Sequence, residues 1–255
     1  IDGRLFEPVP HLLLYGMIGA LLAAGIWLTV ASMRGWPVSA THSIVGAVCG
    51  AGVAALGVDA VNWVMMTEIV VSWCISPVLG GIVALVLTLS IRKLILNTGN
   101  PIGQARKWGP LYAFLVGWIV SLVTITAGLK YVDGNHGGVE GHILAIAIGI
   151  VLAGIAKVLM NRIHLEESDD RIFHFASVEK LFGPLMVFTG AAMAFAHGSN
   201  DVANGIGPMA AAIQIIETRA VSTGSAVTPF MLLLGGIGIA VGVATYGYKV
   251  MATIG

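Results

Sequence analysis

The stretch Ala194–Ala212, AFAHGSNDVANGIGPMAAA, places one carboxylate, Asp201, in a run otherwise apolar or small enough to enter a membrane. Asp201 is the only acid between Lys180 and Glu217. An ionisable group at membrane depth is costly unless it faces a cavity, a partner or an ion, so it marks a functional position by default. His197, Ser199, Asn200 and Asn204 lie within a turn or two of it, and Gly198, Gly205, Gly207 and Pro208 predict a break or an unwound turn. Carboxylate, amide and hydroxyl oxygens suit a hard cation, and unwound carbonyls would add to them. A plainer reading pairs Asp201 with His197 one turn earlier, as a polar staple between helices. His197 itself reads as a packing residue.

The rest of the chain makes the membrane setting firm. Of 255 residues, 57% are hydrophobic and only 10% charged, against roughly 25% charged in an ordinary soluble domain. A mean hydropathy of +0.91 excludes both a soluble globule and a disordered chain. Thirteen basic and thirteen acidic residues cancel, which removes the cationic footprint of a nucleic-acid binder. Cys49 and Cys74 lie in apolar runs and read as small core residues, neither a disulfide framework nor a metal site. The chain opens on Ile1, with Asp2, Arg4 and Glu7 before the first apolar run, so it has no signal-peptide layout there and is expected to be an internal portion of a longer protein.

Crossing the membrane takes about 20 apolar residues per helix. Residues 11–33, 38–58, 70–91, 111–129, 142–160, 183–216 and 226–255 supply about seven crossings. They lack the alternation of barrel strands, so the fold class is all-α, a polytopic transmembrane helical bundle. The loop 92–110 carries Arg92, Lys93, Arg106 and Lys107 and no acid, which places it on the cytoplasmic side; residues 130–141 and 59–68 then fall outside. Glycines at 80–81, 149, 154, 235–236 and 238 read as close-packing positions between helices.

A second stretch, Gly35–Gly46, reads GWPVSATHSIVG. Pro37 fits the first turn of a helix, and Ser39 and Thr41 put hydroxyls beside its unsatisfied N–H groups. Such a terminus can hold a phosphate or sulfate without a fixed countercharge, which keeps binding reversible. An ordinary N-cap at the membrane surface explains the same residues. A third arrangement, a triad of Ser39, His42 and Asp201 in an intramembrane hydrolase, lacks the G-x-S-x-G elbow around its serine.

Together the two stretches resemble the inorganic phosphate transporter family, the sodium- or proton-coupled carriers often called PiT. SNDVANGIGP at Ser199–Pro208 is similar to its G-[AS]-N-D-V-A-N signature, and PVSATHS at Pro37–Ser43 to its P-V-S-[ST]-T-H-[ST] hairpin motif. The resemblance implies two inverted repeats with broken or re-entrant helices, each repeat holding both motifs. On that reading residues 1–255 form one transporter domain: 1–91 end the first repeat, 92–182 connect, and 183–255 begin the second. By resemblance, Ser39, Ala40, Thr41 and Ser199 contact phosphate, and Asn200, Asp201 and Asn204 hold sodium. At Ala40, where the family usually has Ser or Thr, only the backbone N–H can serve. The implied function is cation-coupled phosphate symport in the inner or plasma membrane, with sulfate transport as the alternative. It implies no enzyme activity and no cofactor beyond sodium or a proton as coupling ion; its partners are phosphate, the bilayer and, by analogy, a second copy in a homodimer, with no nucleic acid.

Overall fold

The computed structural model describes residues 1–128, 138–163, 176–221, 224 and 227–254. The loops at 129–137 and 164–175, which carry part of the expected membrane orientation, lie outside the described residues. The described residues form eight α-helices: α1 (Pro10–Met33), α2 (Ala40–Leu56), α3 (Trp63–Ile91), α4 (Pro101–Val123), α5 (Val139–Arg162), α6 (Ala176–Thr218), α7 (Pro229–Gly242) and α8 (Tyr248–Ile254). Single π-helical turns follow α3, α4 and α7, at Arg92–Leu96, Thr124–Gly128 and Val243–Gly247. Six helical stretches among the described residues are long and apolar enough to cross a membrane. The seventh expected crossing is the shorter α2, whose 17 residues reach only about 26 Å.

Two expectations are corrected. The segment 101–110 is not a loop, because α4 begins at Pro101. The signal was polar: Asn100 Oδ1 accepts from Gly103 N at 2.6 Å, and proline stands at the first helical position, where its missing N–H costs nothing. The unwound turn expected at 198–208 does not occur either, and α6 runs through all 43 residues. Each glycine costs about 1 kcal/mol in a helix. Unwinding a turn would instead strand several backbone groups at about 1–3 kcal/mol apiece. Pro208 removes one rung only, since it has no N–H to offer the carbonyl of Asn204.

The chain divides into two compact units, residues 72–196 and residues 1–71 with 197–255. In the first, α4 and α5 pack along their length. Gly117 and Gly149 meet at the crossing, where a Cβ on Gly149 would lie 3.1 Å from the Phe114 carbonyl and the Trp118 N. Ile95, Ile102, Ala105, Tyr112, Met160, Val178 and Leu181 form its buried cluster. Ser90 Oγ and Tyr112 OH are 2.8 Å apart beside it. Gly80, Gly81 and Gly154 touch nothing at the Cβ position, so close packing does not explain them.

In the second unit α1 and α2 form an antiparallel hairpin. Phe6, Leu13, Met17, Ala60, Ala212 and Ile215 bury a cluster that ties the N-terminal turn and α1 to the end of α6. Ile206 and Ala210 of α6 pack on Met231 of α7. At the exposed N-terminus, Arg4 holds the Asp2 carboxyl below its usual range through a side-chain hydrogen bond and a backbone one. No residue of α3 is buried. A long helix this apolar and this widely exposed belongs in lipid.

Candidate functional site

Ser39 stands outside α2 in extended conformation, with φ −86° and ψ 122°, and its Oγ accepts from His42 N at 3.2 Å. Its carbonyl accepts from Ser43 N and, at 2.7 Å, from Ser43 Oγ. The terminus is therefore fixed by serines on both sides. Ala40 and Thr41 open the first turn, and their N–H groups have no acceptor inside the helix.

Thr41 faces α6. Its Oγ1 accepts a hydrogen bond from Asn204 Nδ2 at 2.9 Å, joining residues 163 positions apart. The same amide nitrogen lies 3.5 Å from Asp201 Oδ1, and Asp201 Oδ2 lies 3.6 Å from His197 Nε2. His197, Asp201 and Asn204 follow one another at i, i+4 and i+7, so a continuous helix aligns them on one face. The Asp201 side chain is 29% exposed and that of His197 79%. This chain of groups has a direction. A hydroxyl that accepts from Asn204 turns its own proton away, so the Thr41 hydroxyl keeps a donor for another acceptor. The oxygens of Asp201 and Asn204 suit a hard cation. Among the described residues no three His, Cys, Asp or Glu side chains converge as a metal centre.

The structure thus joins Thr41, Asp201 and Asn204. Ser39 and Ala40 sit at the same terminus, one as its cap and one in its first turn. Asn200 is exposed, one turn before Asn204. Ser199 is exposed too, and in an unbroken helix it lies roughly 160° around from Asp201, away from this cluster. The expectation that Ser199 contacts phosphate came from the family resemblance, and in this helix Ser199 does not join the cluster.

The pairing of His197 with Asp201, the plainer of the two sequence readings, is present at that spacing of four. One feature escaped the sequence. It is a cavity of about 290 Å³ beside Asn204, bordered by Val48, Cys49, Asn62, Met66 and Pro208. There the Cys49 thiol points at Met66 Sδ, 3.8 Å away. Cys49 is half-buried, whereas Cys74 is exposed on α3 and is not a core residue.

Residues 1–255 match the phosphate transporter family throughout. The chain belongs to that family. Members of the phosphate transporter family are carriers, and this sets aside the hydrolase reading. A relative from Haemophilus influenzae, called "Putative phosphate permease", is 41% identical over 98% of this chain and 60% of its own length. A Pyrococcus abyssi protein of the same description is 38% identical over 96% of this chain and 59% of its own. A solved structure described as the sodium-dependent phosphate transporter matches with a TM-score of 0.82 and 33% identity, over 96% of this chain and 59% of that one. The chain therefore spans about 60% of the length of these phosphate transporter relatives.

Proposed function

We propose that this chain contributes one anion-binding turn and one cation-binding cluster to a cation-coupled symporter of inorganic phosphate in the cell membrane. The contact between Asn204 and Thr41 carries this reading, because it links the two motifs by a single hydrogen bond. A cation drawn to Asp201 and Asn204 neutralises the carboxylate and holds the Asn204 amide. That amide then fixes the Thr41 hydroxyl with its proton toward phosphate. Ser39 shapes the turn as its cap, and the Ala40 N–H supplies a donor where the family usually has a hydroxyl. Cation occupancy thus raises anion affinity, and by linkage the reverse holds as well. Sodium is the proposed coupling ion, supported by the structural relative, a sodium-dependent phosphate transporter. Each cation carried in recovers about 2.3 kcal/mol per 100 mV of membrane potential. Inverted repeats that rock about this site would give alternating access.

The test is uptake of labelled phosphate into vesicles by the full-length protein. Asp201→Asn abolishes sodium-dependent uptake and Asp201→Glu keeps part of it. Intact uptake with unchanged sodium dependence in Asp201→Asn would refute the assignment. Uptake that follows a pH gradient and ignores sodium would replace sodium by a proton, and sulfate competing as well as phosphate would widen the substrate.

A further inference from the structure

The junction of α1 with α8 gathers two cations from opposite ends of the chain. Lys249 Nζ donates to the Met33 carbonyl at 3.5 Å, across 216 residues, and Arg34 is the next residue after Met33. Gly35 permits this approach: its φ is +70°, and a Cβ there would lie 3.2 Å from the Lys249 carbonyl oxygen. Both cations rest on aromatic faces. The Arg34 guanidinium lies 5.0 Å from the Trp36 ring centroid and Lys249 Nζ 5.6 Å from that of Tyr246, while Trp27 leans on Trp36 at 6.4 Å.

Part of this has a local cause. A lysine beside helix C-terminal carbonyls is favourable by itself, and long basic side chains reach toward water at the ends of membrane spans. Neither effect supplies a counter-charge for the two cations at this corner. Residues 8–58 and 218–255, the segments that build this corner, contain no Asp or Glu. In the same unit Arg4 is paired with Asp2, but among the described residues neither Arg34 nor Lys249 has a carboxylate within 4.0 Å. An anion at this corner would supply the countercharge that its own segments lack. The surroundings select which anion. Met33, Tyr248 and Met251, exposed by 52%, 62% and 68%, offer apolar and interfacial surface around the charges. Aromatic rings, cations and adjoining apolar surface at the ends of spans fit the headgroup and upper acyl chains of a lipid, whereas a free phosphate ion would leave that surface uncovered.

We infer that Arg34 and Lys249, backed by Trp27, Trp36 and Tyr246, bind the phosphate group of an acidic phospholipid. The bound lipid braces the segment Gly35–Val38, which leads directly to Ser39 and Thr41. This inference is independent of what the chain transports.

The experiment places the full chain in nanodiscs that mix phosphatidylcholine with phosphatidylglycerol, one or the other brominated, and reads tryptophan quenching. Native mass spectrometry of retained lipid gives a second measure. Brominated phosphatidylglycerol quenches more strongly than its phosphatidylcholine counterpart, and each of Arg34→Gln and Lys249→Gln lowers the preference roughly fivefold. Arg92→Gln with Lys93→Gln removes the same charge elsewhere and leaves the preference intact. The charge-preserving pair Arg34→Lys with Lys249→Arg keeps most of it, which separates binding from misfolding in the glutamine variants. The inference is overturned if the double glutamine variant binds phosphatidylglycerol as before, or if the control pair lowers the preference equally. It is overturned likewise if inorganic phosphate displaces the lipid, which would make this a free-anion site.

Discussion

The contact between α4 and α5 and the contact between α2 and α6 hold helices together by opposite means. The first is a dry seam. Gly117 and Gly149 let two backbones touch, and a buried apolar cluster closes around them. The second turns on one amide and one hydroxyl, Asn204 and Thr41, beside a cavity of about 290 Å³. A close-packed seam has one good arrangement, because dispersion falls steeply with small gaps. A polar link next to free volume can be remade in a second geometry at small cost. The difference teaches which part of the chain is rigid scaffold and which has room to rearrange.

The sharpest way to break the scaffold is to hollow it. Leu181, 1% exposed, is predicted to cost about 2–5 kcal/mol as Leu181→Ala, measured as loss of thermal stability in detergent. In lipid most of that loss is dispersion, since apolar burial between helices gains little there. Next comes overfilling: Gly149→Val drives a side chain into the Phe114 carbonyl and is expected to cost about 1–3 kcal/mol, with α4 and α5 spread apart. At the polar joint, Thr41→Val and Asn204→Ala should each cost only about 0.5–1.5 kcal/mol in stability. A double-mutant cycle should then show that the second change adds little to the first. Equal melting losses at joint and seam would erase the distinction. The smallest effect lies at the surface. Arg4 depresses the Asp2 carboxyl, so its stabilisation is present above the unfolded carboxylate range and lost as pH falls through the folded value. Because solvent screens the pair, Asp2→Asn should leave the melting temperature at neutral pH almost unchanged.

Much of this was legible in the residues. Long apolar runs announced α1, α3, α5 and α6, and the two polar knots announced Thr41 and Asp201. The start of α4 was hidden because its first ten residues carry Gln104, Arg106 and Lys107 among two glycines and two prolines; the cap at Asn100 and Pro101 had to be weighed above hydropathy. The continuity of α6 was hidden because glycine and proline were read as breaks, although backbone hydrogen bonds outweigh their modest penalties. What no local pattern contains is pairing at long range. Nothing near Asn204 names Thr41, and nothing near Lys249 names Met33, since each contact depends on how whole helices cross.

Pro208 has a consequence for the signature it closes. A ring nitrogen without hydrogen cannot answer the oxygen four residues behind it, so the main chain of Asn204 keeps a lone pair that another residue at 208 would have claimed. One amino acid thereby leaves an unclaimed main-chain acceptor inside a fully coiled rod, without surrendering stiffness.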